Sequence, residues 1–168
     1  LTLAQKVASG YASLGQKQSA IDIYKEIYIQ SDSDYTKAQM DYLIGQLLIS
    51  DGQVEEAHSY YQDAVNNFPY TYDSFIALLA LLDAEQEVSE LQRGLINYYR
   101  GQYLLAIEAF DRYIANNNSD IDKALYYKGL ATRAQGLVLA GFESIERQEA
   151  NFAGGTAEDK AAIELWSE

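Results

Sequence analysis

The chain has 168 residues, 25 acidic side chains against 12 basic ones for a net charge of −13, 48% hydrophobic residues and no cysteine. That balance excludes a disordered tail and a thiolate or disulfide framework. It also repels phosphate backbones and anionic lipid, so no nucleic acid is expected as a partner, and no apolar run is long enough for a membrane span. His58 is the single histidine, too few for a His-rich metal centre, and no metal or cofactor is expected. The chain opens on Leu1 with no signal-like segment and is read as a piece of a longer protein.

One proline, Pro69, among abundant alanine, leucine, glutamine and glutamate leaves little to interrupt helices. The chain is therefore read as all-α. Taken in order, the expected helices cover 3–14, 17–30, 35–50, 53–67, 71–84, 89–100, 103–116, 120–135, 138–152 and 157–167, about ten in all. Between them an internal echo recurs: Gly15-Gln16 leads to Ala20, Gly52-Gln53 to Ala57 and Gly101-Gln102 to Ala106, each a Gly-Gln-x-x-x-Ala. Four residues after each alanine stands an aromatic, Tyr24, Tyr61 or Phe110, which puts a small and a large side chain one turn apart on one helical face. Seven residues before each marker glycine stand Ala8, Gly45 and Gly94, and Gly129 stands in the same relation to a fourth glycine, Gly136.

The wide interval between Gly52 and Gly101 holds the apolar run Tyr72–Leu82, expected to form an extra helix over 71–84. Ser89 with Gln92 reads as a capping box opening the next helix. Asp120, and Thr156 with Asp159, read as later caps. The last expected helix has an apolar face of Ala161, Ala162, Leu165 and Trp166, so further helices are expected beyond it in the parent protein.

These residues resemble the tetratricopeptide repeat. Repeat one carries Ala8, Tyr11, Gly15, Ala20 and Tyr24; repeat two carries Gly45, Gly52, Ala57, Tyr61, Ala64 and Pro69; repeat three carries Gly94, Gly101, Tyr103, Ala106 and Phe110. The resemblance implies one right-handed α-solenoid of stacked antiparallel helix pairs, with repeats at 1–34, 38–71, 87–120 and 122–155, and a further one starting at 157–168. It also implies a concave groove lined by the first helices of the repeats, which holds a protein or peptide partner. The groove positions carried over include Tyr42 and Gln46 from repeat two, Leu91, Leu95, Tyr98 and Tyr99 from repeat three, and Tyr126 and Arg133 from repeat four. Gln5 and Ser9 stand where chaperone-binding members carry Lys and Asn, so the carboxylate clamp of that group is missing.

More narrowly, Glu90–Tyr99, Gly101-Gln102-Tyr103, Ala106–Phe110 and Ala124–Gly129 look like the helical superhelix of bacterial soluble lytic transglycosylases. That likeness implies a non-catalytic module outside the cytoplasm that positions peptidoglycan for a separate catalytic domain. The family's catalytic Glu-Ser is followed by a Gly-Leu-Met-Gln run, whereas Glu143-Ser144 is followed by Ile145-Glu146-Arg147. Glu143 is therefore read as a solvated surface residue, and the chain as no enzyme. Asp32-x-Asp34 fails as a calcium loop because Lys37 and Leu43 stand where glycine and the bidentate glutamate belong. No Gly-rich phosphate loop with Lys-Ser or Lys-Thr occurs.

Overall fold

The computed structural model describes residues 2–116 and 119–153. Among these residues every regular element is an α-helix, in the order α1 (Leu3–Ser13), α2 (Lys17–Gln30), α3 (Asp34–Ser50), α4 (Val54–Asn67), α5 (Tyr72–Asp83), α6 (Glu90–Tyr99), α7 (Tyr103–Ala115) and α8 (Ile121–Ala153). Each helix packs on the next one in the chain, and α3 also meets α5, as α6 meets α8. The arrangement is helical and repeat-like.

The Gly-Gln signposts are chain reversals. Gly52 sits at φ +78°; its N–H donates to Ile49 O at 3.0 Å, and Gln53 N–H donates to Leu48 O at 2.9 Å. These two bonds satisfy carbonyls left over at the end of α3 and require a left-handed residue between them, which glycine supplies without a Cβ clash. The carbonyl of Gln53 then accepts from Ala57 N–H at 3.1 Å and starts α4. The glutamine thus ends one helix and begins the next with its backbone alone; its side chain caps nothing. The same bonds recur at Gly15-Gln16 and Gly101-Gln102.

After each reversal the second helix docks through its small residue. Ala20, Ala57 and Ala106 are fully buried, and Tyr24, Tyr61 and Phe110 are at most 4% exposed. A methyl built on Gly45 would meet the Tyr61 ring, with Cδ1 2.7 Å away, and one on Gly94 would meet the Phe110 ring, with Cδ1 2.6 Å away. Those glycines let α3 close on α4 and α6 on α7. The buried side chains form three clusters along the chain. Ile21, Tyr24, Met40, Ile44 and Leu48 fill the first. Tyr61, Val65, Leu78, Leu81 and Ile96 fill the second, and Leu91, Leu95, Phe110, Ala124 and Ala131 the third. Each fully buried large side chain contributes roughly 1.5–3 kcal/mol relative to exposure. The extra helix α5 is pinned to α4 by a buried polar knot. Thr71 accepts from Ser74 N–H at 3.2 Å, its hydroxyl lies 2.8 Å from that of Ser74, and the Ser74 hydroxyl reaches Ala64 O at 2.8 Å.

Two expectations are corrected. The helices expected at 120–135 and 138–152 are one continuous helix, α8, so the described residues hold eight helices and the turn expected at Gly136 is absent. Gly136 lacks the positive φ of the three reversal glycines, and no proline follows it. A helical glycine costs only ~1 kcal/mol relative to alanine, too little to break a long helix. The capping box at Ser89 does not form either: Ser89 precedes α6 without a side-chain bond, and Gln92 turns to Asn66 O at 3.4 Å. A capping box occurs instead at Thr2 and Gln5, where the Gln5 side chain accepts from Thr2 N–H at 2.8 Å. The helix expected at 157–167, with Trp166 and the caps Thr156 and Asp159, lies outside the described residues, as do the side chains of Glu143 and Ser144.

Candidate functional site

Six tyrosines far apart in sequence come together as one band. Tyr35 opens α3, Tyr70 lies in the turn before α5, Tyr98 and Tyr99 end α6, and Tyr126 and Tyr127 lie in the second turn of α8. Tyr35 packs edge-on against Tyr70 with ring centres 5.7 Å apart, and Tyr70 against Tyr99 at 5.9 Å. Tyr99 meets Tyr98 at 5.3 Å and Tyr127 at 6.0 Å, and Tyr126 meets Tyr127 at 5.4 Å. These are the edge-to-face contacts that the ring quadrupole favours, each contributing roughly 0.5–1.5 kcal/mol beyond burial. Tyr127 also stacks on buried Phe110 at 6.4 Å, which anchors the band to the third core cluster.

Three of its rings are exposed, Tyr35 and Tyr126 at 63% each and Tyr99 at 41%, and Tyr70, Tyr98 and Tyr127 are half-buried. Three of its phenols are held, two by each other and one by a carboxylate. Tyr99 and Tyr127 share a hydrogen bond of 2.9 Å between hydroxyls, and Tyr70 donates to the Asp34 carboxylate. That bond, then partial burial and the charge of Asp34, push the Tyr70 phenol up to about 12. Burial, followed by the bond to Tyr127, raises Tyr99 further still. Tyr70, whose proton is committed to Asp34, and Tyr99 therefore stay neutral at physiological pH and present ring faces, not phenolate bases or nucleophiles. Among the described residues no group of three or more His, Asp or Glu converges to hold a metal, and no helix is long and apolar enough to cross a membrane.

Of the residues expected to line a groove, Tyr98, Tyr99 and Tyr126 fall in this band. Tyr42 does not join it; it stacks on Tyr61 at 5.7 Å, and exposed Gln46 donates to its hydroxyl at 2.9 Å. Leu91 and Leu95 are corrected: at 6% and 2% exposed they are core residues packed with Phe110 and line no surface. Arg133 is exposed on α8, seven residues beyond Tyr126 and so on the same side of the helix. Sequence reasoning missed Tyr35, Tyr70 and Tyr127. The Pro69-Tyr70 pair closing repeat two is the signal that points to the second; Tyr35 carries none.

No family model, no curated protein and no solved structure matches the chain.

Proposed function

We propose that the chain is a tetratricopeptide-like stack of helical hairpins, a non-enzymatic scaffold that holds a protein or peptide partner across the tyrosine band. The observation that carries the reading is the band itself, six rings from three helices and a turn with exposed edges and hydrogen-bonding phenols. Tyrosine supplies large, rigid contact area with little conformational entropy to lose, which is why it anchors recognition surfaces. The repeated Gly-Gln reversals and the small-to-aromatic packing support the stack.

The test is selection of peptides from a random library on the wild-type chain. Peptides so selected should bind the Tyr99→Ala, Tyr126→Ala double variant roughly 10- to 30-fold more weakly, because each lost ring contact removes about 1 kcal/mol. Leu104→Ala, on α7 and 60% exposed, is the control and should change nothing. Peptides indifferent to both tyrosines would remove the reading.

A second reading rests on the same rings, since neutral phenols beside exposed aromatic faces also suit sugar rings. In it the chain is the helical module of a cell-envelope lytic transglycosylase and contacts peptidoglycan. Muropeptides at about millimolar concentration should then shift the fluorescence of the wild-type tyrosines and leave the double variant unchanged.

A further inference from the structure

The rings of the tyrosine band do not form a flat wall. Tyr35, Tyr99 and Tyr126 stand out into solvent, and half-buried Tyr70 and Tyr127 lie between them. Neighbouring rings are turned across one another, by 72° for Tyr35 on Tyr70, 73° for Tyr70 on Tyr99, 61° for Tyr99 on Tyr127 and 87° for Tyr126 on Tyr127. Each step therefore sets a ring face against a ring edge, and each half-buried ring floors a notch between two exposed ones. From Tyr35 to Tyr99 is two steps, of 5.7 and 5.9 Å, and from Tyr99 to Tyr126 two more, of 6.0 and 5.4 Å.

The polar character of the band is one-sided. The hydroxyls of Tyr35 and Tyr126 bond to no described residue. In the Tyr99–Tyr127 pair, whichever phenol accepts keeps its own proton to donate outward. The one carboxylate of the band, Asp34, receives the Tyr70 proton on Oδ2, and its Oδ1 bonds to no described residue. The surface thus offers rigid notches, hydrogen-bond donors and a negative charge at its Tyr35 end.

We propose, resting on the reading that the band holds a peptide, that this peptide is a proline-rich segment in the polyproline II conformation with a basic residue at the Asp34 end. Such a segment has three residues per turn and rises about 3.1 Å per residue, so one turn of roughly 9 Å carries it close to the span of two ring steps. Prolines one turn apart then enter successive notches. The carbonyls of the segment make no internal hydrogen bonds and proline brings no N–H, so the ligand is rich in acceptors and poor in donors, the complement of the free phenols. It is extended before it binds and loses little conformational entropy on rigid rings. Other ligands match less. A β-strand needs a sheet edge to receive its N–H groups, and among the described residues every regular element is a helix. A helix turns its carbonyls into its own backbone bonds and leaves the phenols unmet. A sugar hydroxyl brings a donor with every acceptor. Asp34 and the net charge of −13 both select a basic residue over an acidic one.

The experiment titrates the whole chain with fluorescein-labelled peptides of about nine prolines and one arginine at either end, long enough at about 3.1 Å per residue to cross all four ring steps. The tighter of the two should bind at least about tenfold better than a peptide of equal length and charge with alanine and glycine in place of proline. Tyr35→Ala and Tyr126→Ala, both at rings 63% exposed and outside the core, should each weaken it roughly three- to tenfold, and Leu104→Ala should leave it unchanged. Glutamate in place of the arginine should weaken binding roughly three- to tenfold at ~0.05 M salt, and Asp34→Asn should remove most of that difference. If that variant fails to fold, the same loss of preference for arginine is expected of the wild type at ~0.5 M salt. Equal binding of the proline and alanine-glycine peptides, or a proline peptide indifferent to both tyrosine changes, would overturn the inference. Library-selected peptides that lack proline yet need the tyrosines would overturn it and leave the peptide-binding reading standing, whereas selected peptides that ignore the tyrosines would remove both. Muropeptides that need the tyrosines, where the proline peptides fail to bind, would overturn it in favour of the sugar reading.

Discussion

Glu85 occupies the place that glycine holds in the three Gly-Gln reversals. Its φ is +55°, its N–H donates to Leu82 O at 3.1 Å, and Gln86 N–H donates to Leu81 O at 2.8 Å. The bonds match those around Gly52, but here a side chain is forced into the left-handed region, at a cost of roughly 1–2 kcal/mol. Glycine would remove that strain and lose part of the gain to a freer unfolded chain. Glu85→Gly is therefore expected to stabilise the protein by roughly 0.5–1 kcal/mol in urea unfolding, while Gly52→Ala at φ +78° destabilises it by about 1 kcal/mol. If both substitutions shift the midpoint the same way, backbone strain is not what separates the two sites. Glu85-Gln86 makes this reversal without the glycine that marks the other three, so in the sequence only the gap between the helices expected at 71–84 and 89–100 points to it.

At the scale of the helix, the elements around the Gly-Gln reversals were legible because two local signals agree. The reversal dipeptides mark the ends, and the buried alanine four residues ahead of an aromatic marks the docking face, so the expected 17–30 coincides with α2; α5 has neither signal, and its apolar run alone puts the expected 71–84 within a residue of it at each end. The eighth was misread because Gly136 copies the spacing of the other glycines without the backbone conformation. The site was less legible. Tyr98, Tyr99 and Tyr126 could be placed by register, but Leu91 and Leu95 share their helix face with the core. Continuity of α8 makes its own prediction. A Cβ on Gly136 meets nothing within 4 Å, so Gly136→Ala should stabilise by roughly 0.5–1 kcal/mol and raise helix content by circular dichroism. A loss of stability instead would mean that the chain turns there.

For the whole molecule, the question is how the three core clusters are joined. Helix α6 belongs to two of them: Leu91 and Leu95 pack with α7 and α8, whereas Ile96, turned to another side and fully buried, enters the cluster of Tyr61, Val65, Leu78 and Leu81 on α4 and α5. Other links across this junction are peripheral. Arg100 lies 5.3 Å over the Tyr72 ring and 5.7 Å over Phe75, and Gln62 donates to Glu87 O at 2.8 Å; exposed contacts of these kinds contribute roughly 0.5–1 kcal/mol each. Ile96 is the larger contribution, and Ile96→Ala should cost roughly 2–4 kcal/mol through lost burial and a residual cavity. Its distinctive effect is on cooperativity. With the junction weakened, amide exchange should separate into two levels, α1–α5 on one side and α6–α8 on the other, because each keeps its own cluster intact. Leu95→Ala, a change of similar size inside the third cluster, should lower protection in α6–α8 first. If Ile96→Ala lowers protection evenly along the chain, the three clusters unfold as one body and Ile96 is an ordinary core residue.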